Sequence, residues 1–477
     1  MNTLATRREF LAGSLAAFGA VGLGVHGTAE PARQPNFVII FTDDQGYNDV
    51  GCFGSHRIKT PRLDQMALEG MRFTDFYSAA PVCTPSRAGL LTGCYPQRNS
   101  MVDMPRSENR IGQVLFPDTP CGIHPDEVTL AEALKGMGYA TGCVGKWHLG
   151  HLPPFLPTRN GFDSYFGIPY SNDMIPCPLM RGEEVIEEPA VQATLTERYT
   201  EESIQFIREN KDKPFFLYLA HNMPHIPLHI SDRFAGKSDG GIYGDVIECI
   251  DWSTGAILDT LDELGLSDDT IVVFTTDNGP WLSKGSNGGF ATPLRAGKGT
   301  TYEGGMRVPC IMRWNGHIPA GSVCREVAAT IDLFPTFTKL AGRTAPPDRT
   351  IDGLDIYPLM SGDRNATSPH EAYFYYFGSE LHAVRSGEWK LRFENSMKGE
   401  DIYRKSPNPD ALVLEALYHL PTDPGEQKNL IDQNPDIVDR LRRQADRMRT
   451  ELGDSKTGIA GRSIRPIGMY APNPVHS

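Results

Sequence analysis

Four short apolar runs, separated by helical patterns, are the feature that most constrains the fold of this chain. The first, NFVIIF, is continuously apolar and β-branched, which is typical of a strand covered on both faces. Strands that alternate with helices predict an α/β fold with a large, mostly parallel mixed sheet flanked by helices. The four predicted strands lie at 36–41, 138–145, 214–220 and 270–279.

Unusual polar residues come directly after each of these predicted strands. In open α/β sheets, ligands bind outside the carboxyl ends of the strands, so we expect the four segments to meet at one edge of the sheet. The residues that they deliver are Asp43, Asp44, Lys146, His148, His221, His225, Asp277 and Asn278.

Two of the four segments carry only hard oxygen ligands, Asp43 with Asp44 and Asp277 with Asn278. Such a set suits Ca²⁺ or Mg²⁺, whereas zinc favours histidine or cysteine. Alternatively, each aspartate caps a turn after its strand. Because two such pairs follow two buried strands, we favour a metal site.

A second group of residues is cationic. The chain has 46 basic and 59 acidic residues and a net charge of −13, which makes nucleic acid an unsuitable partner. An anionic substrate therefore needs local positive charge. The residues that offer it are Arg87, Lys146, His148, His225 and Lys298.

Cys83 stands at the start of a predicted helix, with Thr84 as its cap and Pro85 in its first turn. A helix N-terminus favours an anion or a thiolate, and Arg87 can reach the same place. Alternatively, Cys83 is a small buried apolar residue. Metal, cations and cysteine together predict transfer of a tetrahedral oxyanion, but soft sulfur pairs poorly with hard ligands.

The N-terminus resembles a twin-arginine export signal. Arg7 and Arg8 precede an apolar run over 11–25, and small residues near Ala29 suit cleavage, so we assign 1–29 as a signal peptide. The run is too short to span a membrane comfortably, which predicts no stable membrane insertion after cleavage. The expected route is the twin-arginine translocase of a bacterium, and the expected location is periplasmic or secreted.

A length of 477 residues predicts two domains. The sequence pattern changes near residue 349. Beyond it, short predicted strands with alternating polarity and a final helix at 437–452 indicate a smaller antiparallel-sheet domain. We therefore predict a catalytic α/β domain over 34–348 and an α+β domain over 349–477. Glycine- and proline-rich stretches at 152–194 and 281–301 are predicted to be loops.

Nine cysteines are scattered without a CxxC pair, which argues against structural zinc. Cys121 with Cys177, or Cys310 with Cys324, could form disulfides in an exported protein. The sequence leaves the connectivity open.

The pentapeptide CTPSR at 83–87, continued by AGLLTG, resembles the motif of the type I, formylglycine-dependent sulfatases of the alkaline phosphatase superfamily. The resemblance runs from 36 to about 430 and includes TDDQG, GKWHLG, PHIPLH, TDNG and GGMRVP. It implies an alkaline phosphatase-like fold and an arylsulfatase-like sulfuric ester hydrolase. It also implies that a formylglycine-generating enzyme oxidises Cys83 to formylglycine (3-oxoalanine), whose hydrate offers two oxygens in place of sulfur.

The resemblance assigns a role to each site residue. Ca²⁺, rather than Mg²⁺, is implied as the metal, with ligands Asp43, Asp44, residue 83, Asp277 and Asn278. Arg87 would stabilise the hydrate, and Lys146 and Lys298 would bind sulfate. His148 would be the base, while His225, with Lys298 as a further candidate, would assist departure of the alcohol. His221 and His229 are left as support residues.

The implied reaction is a double displacement through a covalent sulfated enzyme, acting on a carbohydrate sulfate and in assays also on aryl sulfates. A phosphodiesterase or phosphonate monoester hydrolase is one alternative. A non-catalytic protein that binds sulfated glycans is another. Specificity is expected from the loops and the C-terminal domain, where candidate subsite residues are Trp281, Phe290, Tyr302, His382 and Arg385.

Overall fold

The computed structural model describes residues 34–344, 346, 348–396 and 412–471. The predicted signal peptide at 1–29 lies outside these residues. The described helices are α1 (Pro61–Glu69), α2 (Cys83–Thr92), α3 (Leu130–Lys135), α4 (Leu195–Glu209), α5 (Gly241–Glu263), α6 (Glu303–Met306), α7 (Leu333–Leu340), α8 (Tyr357–Met360) and α9 (Pro435–Leu452).

The strands of the first half of the chain are β1 (Asn36–Thr42), β2 (Met71–Tyr77), β3 (Met104–Pro105), β4 (Ile111–Gly112), β5 (Cys121–Gly122), β6 (Ala140–Gly145), β7 (Ser164–Gly167), β8 (Leu179–Arg181), β9 (Glu184–Glu187) and β10 (Phe215–Ala220). Those of the second half are β11 (Thr270–Thr276), β12 (Arg307–Arg313), β13 (Ser322–Cys324), β14 (Ala328–Ala329), β15 (Tyr373–Phe377), β16 (Glu380–Ser386), β17 (Trp389–Arg392), β18 (Asn395–Ser396), β19 (Leu412–Val413), β20 (Ala416–His419) and β21 (Gly468–Met469).

Eleven strands form one large mixed sheet in the order β13, β2, β12, β11, β1, β10, β6, β7, β8 and β9, with β14 also paired to β2. Its centre is parallel: β1 pairs with both β10 and β11, and β10 pairs with β6. The four predicted strands are therefore the four adjacent central strands. Their carboxyl ends lie side by side at one edge, as predicted.

Each face of the large sheet carries its own core. On β1, Phe37 and Ile39 belong to one apolar cluster and Val38 and Ile40 to another, since successive side chains point to opposite faces. The first cluster includes side chains of α2, α3 and α7, and the second includes those of α1, α4 and α5. Helices thus cover both faces, which explains the continuous apolar strands and confirms the predicted fold class.

A second, smaller antiparallel sheet contains β15, β16, β17 and β20. Helix α9 packs against β16 and β17, and Leu441 and Ala445 of this helix share a core with Tyr373, Leu391 and Leu417 of the sheet. We call β15, β16, β17 and β20 the C-terminal sheet. The domain boundary at 348/349 stays a prediction.

Two local predictions were wrong. The stretch 152–194 is not only loop, because β7, β8 and β9 extend the large sheet. Helix α2 begins at Cys83, with Val82 as its N-cap, rather than after Thr84. The Thr84 hydroxyl instead accepts a hydrogen bond from the Leu115 amide at 3.1 Å, so it does not cap the helix.

The two suggested disulfides are absent among the described residues, where all nine cysteines are free. Cys310 on β12 and Cys324 on β13 both lie opposite Phe73 of β2, one on each side of that strand. Two strand spacings place them about 9–10 Å apart, which is too far for a disulfide. None of the helices in the described part of the chain combines the length and apolar character that crossing a bilayer requires.

Candidate active site

The edge formed by β1, β10, β6 and β11 gathers a buried cluster of charged residues. Asp43 and Asp44 follow β1, Lys146 follows β6, and Asp277 and Asn278 follow β11. All five are at most 3% exposed. Arg87 joins them from α2 and is also fully buried. Burial of this many charges requires that they pair with one another.

Asp43 is the centre of one set of ion pairs. Its Oδ2 atom accepts a hydrogen bond from Lys146 Nζ at 2.6 Å and lies 3.4 Å from Arg87 Nη2. Burial alone would raise the pKa of Asp43, but Lys146 and Arg87 outweigh it and hold that pKa well below its usual range. The two cations therefore favour the ionised form of Asp43.

Arg87 connects the strands with helix α2. Its Nη2 donates to Asp277 Oδ2 at 2.9 Å, and its Nη1 donates to the Lys146 carbonyl at 3.1 Å. Burial and the nearby Asp43 raise the pKa of Asp277, although Arg87 opposes the shift. Two carboxylates this close favour a neighbouring cation.

Asp44 is the centre of a second set of contacts. Its backbone has a positive φ of 66°, which is uncommon outside glycine and turns the side chain into the cluster. Oδ2 accepts from Lys298 Nζ at 2.8 Å, and Oδ1 accepts from Asn278 Nδ2 at 2.8 Å. The loop that carries Lys298, within the predicted loop over 281–301, thus reaches the edge of the sheet.

Cys83 lies beside this cluster as the first residue of α2. It is 2% exposed, and burial is the main cause that raises its pKa to about 11. Lys146 and Lys298 lower that pKa, and Asp43 and Asp277 raise it further. The thiolate that a helix N-terminus would favour is therefore disfavoured here, because desolvation outweighs the cations.

His148 has a defined tautomer. Its Nε2 lies 2.8 Å from the Leu115 carbonyl, and because a carbonyl only accepts, Nε2 carries the proton. Nδ1 is buried and has no hydrogen-bond partner among the described residues. Burial, and then Lys146, lower the pKa of His148 well below its usual value. The residue is thus a neutral imidazole with a free lone pair on Nδ1.

His225 is buried on the other side of Asp44. Its Nδ1 donates to the Ile226 carbonyl at 2.6 Å, which leaves Nε2 as an acceptor 3.6 Å from Asp44 Oδ2. Burial and then Lys298 lower the pKa of His225. Two acceptor atoms that face each other in a buried site need a cation or a proton between them.

The donor set fits a divalent metal. Asp43 Oδ1 and Asn278 Oδ1 are buried oxygen atoms that lack a hydrogen-bond partner in the described structure. Asp43, Asp44 and His225 offer ligand atoms within 4.8 Å of one another. Asp43 and Asp44 are among the predicted ligands, whereas His225 is not. Asn278 could add its unpartnered Oδ1 atom to this set.

Two predicted support residues lie apart from these contacts. His221 follows β10 but hydrogen-bonds Ser253 of α5 at 3.4 Å, and burial lowers its pKa to about 3. His229 is half-buried, and burial lowers its pKa too. The contact of His221 is thus with α5 and not with the cluster.

The five candidate subsite residues separate into two groups. Trp281 lies next to the site, with its ring 5.6 Å from the His225 ring and 4.4 Å from Lys298 Nζ, and Phe290 is 41% exposed. Tyr302, His382 and Arg385 are at most 4% exposed, and each is engaged in contacts with other side chains. They belong to contacts between the Lys298 loop, the large sheet and the C-terminal sheet.

The sequence also missed residues of the site. Ser171 Oγ accepts a hydrogen bond from Lys146 Nζ at 3.2 Å, from within the predicted loop. An apolar cluster surrounds Cys83, and we call it the Cys83 apolar cluster. It contains Val82, Cys83, Val114, Phe116, Met174, Trp281 and Phe377. Apart from Cys83 itself, only Trp281 of this cluster is a candidate from the sequence, because Val114, Phe116, Met174 and Phe377 are far apart in sequence and carry no motif.

Comparison with known families identifies the chain. The model of the sulfatase family matches residues 35–343, more than half of its length. The chain belongs to the sulfatase family. A second model, N-sulphoglucosamine sulphohydrolase, C-terminal, matches residues 297–451. Membership identifies the chain as a sulfuric ester hydrolase and confirms the predicted resemblance.

Individual sulfatases are similar over most of the chain. N-acetylgalactosamine-6-sulfatase of Canis lupus familiaris is 39% identical over 90% of this chain and 87% of its own. Arylsulfatase A of Homo sapiens is 38% identical over 89% and 88%. The crystal structure of PsFucS1 sulfatase from Pseudoalteromonas sp. superposes with a TM-score of 0.76 at 27% identity, covering 87% of this chain and 90% of that one. Sulfatases generally use a formylglycine and a divalent metal.

Proposed function

We propose that this sulfatase hydrolyses its ester by double displacement at residue 83, after Cys83 has been oxidised to formylglycine by a formylglycine-generating enzyme. The observation that carries the proposal is the position of Cys83 beside the buried ionic cluster, with a thiol pKa of about 11. A protonated thiol is a weak nucleophile. The hydrate would supply one oxygen that attacks sulfur and a second hydroxyl whose deprotonation expels sulfate and restores the aldehyde.

We propose Ca²⁺ as the metal, held by Asp43, Asp44, Asp277, Asn278 and residue 83. The charges support a cation: three buried carboxylates (Asp43, Asp44, Asp277) are balanced by three buried cations (Arg87, Lys146, Lys298). Without a further cation, this cluster has no excess positive charge for an anion. A bound divalent ion would act as a Lewis acid on a sulfate oxygen.

The side chains of the cluster would bind and orient the sulfate group. Lys146 and Lys298 each contact one aspartate, so their ammonium groups are fixed before substrate arrives. Such preorganised charge stabilises a transition state without further rearrangement. Arg87, held by Asp277 and the Lys146 carbonyl, would fix the hydrate of residue 83.

Two histidines would accept or donate the protons that the reaction transfers. His148 is neutral and presents the lone pair of Nδ1, which suits the base that takes the proton of the remaining hydroxyl. His225, or Lys298, would give a proton to the departing alcohol. The lowered pKa of His225 opposes this role in the free enzyme, while a bound sulfate anion would raise the pKa again.

We propose a carbohydrate sulfate as the substrate, with aryl sulfates also turned over. The Cys83 apolar cluster supports a substrate with a flat apolar face, which both a pyranose and an aryl ring offer. The relatives named for N-acetylgalactosamine-6-sulfate and for aryl sulfates support the same two classes. We also propose export through the twin-arginine translocase to the periplasm or beyond, on the N-terminal sequence alone.

Mass spectrometry of the peptide that contains residue 83, combined with activity assays, tests the proposal. We expect the mass of formylglycine in active enzyme, turnover of a sulfated sugar and an aryl sulfate, and slower turnover of a phosphodiester. The Cys83→Ser variant keeps one oxygen but lacks the release step, so it should not turn over. Full activity with unmodified Cys83 or with Cys83→Ser would overturn the mechanism, and a faster phosphodiester reaction would overturn the substrate class.

A further inference from the structure

The loop that carries Lys298 is held at two places. On one side, the Lys298 amide donates to the Pro280 carbonyl at 2.9 Å, and the Gly299 amide donates to the Pro81 carbonyl at 2.8 Å. These contacts join the loop to the segments that lead to Asn278 and Cys83. On the other side, the residues that follow Lys298 contact the C-terminal sheet.

Thr301 contacts the C-terminal sheet with both its side chain and its backbone. Its hydroxyl accepts a hydrogen bond from Arg392 Nη1 at 2.8 Å and is hydrogen-bonded to His382 Nδ1 at 3.0 Å. Its carbonyl accepts from Lys390 Nζ at 2.9 Å. His382 lies on β16, and Lys390 and Arg392 lie on β17. Three side chains of one sheet therefore converge on a single residue, three positions from Lys298.

The next residues of the loop are held by buried charges. The Glu303 amide donates to Glu426 Oε2 at 2.7 Å, and Lys390 Nζ lies 3.0 Å from Glu303 and 2.9 Å from Glu426. All three side chains are fully buried. Arg295, three residues before Lys298 in the chain, donates a hydrogen bond from Nη1 to the Glu426 carbonyl at 2.7 Å. Contacts on both sides of Lys298 thus fix the path of the loop.

We propose that the C-terminal sheet positions Lys298 for sulfate binding, and that Thr301 is the main positioning residue. The ammonium group of Lys298 sits 2.8 Å from Asp44, on a loop that is fixed a few residues further on at Thr301 and Glu303. Positioning of a charged group within a fraction of an ångström decides how strongly it acts on a transition state. The inference rests on the proposed role of Lys298 in sulfate binding.

The matched variants Thr301→Val and Thr301→Ser test the inference. Valine keeps the shape but removes the hydroxyl, whereas serine keeps the hydroxyl. We expect Thr301→Val to raise the inhibition constant of inorganic sulfate about tenfold, and Thr301→Ser to restore it. Hydrogen exchange of the amides of Lys298 and Gly299 should become about tenfold faster in Thr301→Val alone.

Repeating Thr301→Val in a Lys298→Ala enzyme separates positioning from general destabilisation. If Thr301 acts through Lys298, the valine substitution has no further effect on sulfate binding there. An equal effect in both backgrounds, or unchanged hydrogen exchange in Thr301→Val, would overturn the inference. If the unsubstituted enzyme neither binds sulfate nor cleaves sulfate esters, the proposed function fails, and the hydrogen exchange result still decides whether the sheet fixes the loop.

Discussion

Replacing Lys390 by methionine should destabilise the fold strongly, since this residue neutralises two buried carboxylates. Its Nζ lies 3.0 Å from Glu303 and 2.9 Å from Glu426, and no part of the three side chains is exposed. Removal of one partner from a buried ion pair costs about 3–5 kcal/mol, because the remaining charge has no water around it. We therefore expect the free energy of unfolding of Lys390→Met to fall by about 3–5 kcal/mol at pH 8.

The loss should depend on pH with a definite sign. Burial, partly opposed by Lys390, already raises the pKa of Glu426 above its ordinary value of 4.5. Without Lys390 the pKa of Glu426 in the folded protein rises further. Between the unfolded and the folded pKa of Glu426, the folded protein then holds a proton that the unfolded chain has released. Stability is then lost as the pH rises from the unfolded pKa through the folded pKa. The destabilisation should be smaller at pH 5 than at pH 8.

The matched control is Lys390→Met combined with Glu426→Gln. Glutamine removes one unpaired charge but keeps a carbonyl that accepts from the Glu303 amide, and Arg307 lies 3.6 Å from the charge of Glu303. We expect the double variant to recover more than half of the lost stability in urea unfolding followed by circular dichroism. A loss below about 1 kcal/mol in Lys390→Met, or a double variant less stable than the single one, would refute this electrostatic reasoning.

Three further predictions concern the site. Because the pKa of His148 is well below 6.5, the acid limb that His148 produces in the pH profile of kcat should lie well below pH 6.5, and His148→Ala should lower kcat about 100-fold or more. An inflection near pH 6.5 that disappears in this variant would contradict the assignment. Chelation of divalent ions should abolish activity and lower the unfolding temperature, with Ca²⁺ restoring both; unchanged unfolding would count against a metal at Asp43 and Asp44. Trp281→Ala should raise KM for sulfated rings about tenfold, and Trp281→Phe should raise it less, since the indole ring of Trp281 lies 4.4 Å from Lys298 Nζ. The same KM in both variants and in the unsubstituted enzyme would exclude a role for Trp281 in binding.

The central sheet could be predicted because its strands are buried on both faces. Each of the four observed strands is buried over all of its six or seven residues, and short runs rich in apolar and β-branched residues, bounded by turn residues, indicate such strands. The strands β8 and β9 were missed for the opposite reason. They are short, and Glu184–Glu187 is largely exposed, so no apolar pattern distinguishes them from a loop.

The place where the cluster residues emerge from the sheet could be predicted, but their contacts could not. A strand end tells where Lys146 or Asp277 must emerge, since parallel strands end at one edge. It does not tell which hydrogen bonds they form. The tautomer of His148 depends on the Leu115 carbonyl, a backbone atom with no signature in sequence. The ion pair of Arg385 with Asp75 illustrates the same limit, because an arginine that recognises a ligand and one that pairs with an aspartate look alike in sequence.

The sequence also suggests two separate groups, acidic metal ligands and basic sulfate ligands, whereas the structure joins them. Lys146 contacts Asp43 and Lys298 contacts Asp44, each through one carboxylate oxygen. On Asp43, the other carboxylate oxygen has no partner among the described residues. A single carboxylate can thus orient a lysine with one oxygen and a metal ion with the other. The metal and the lysines should therefore act as one unit through the aspartates that they share, so the effects of chelation and of lysine substitution on sulfate binding should not add.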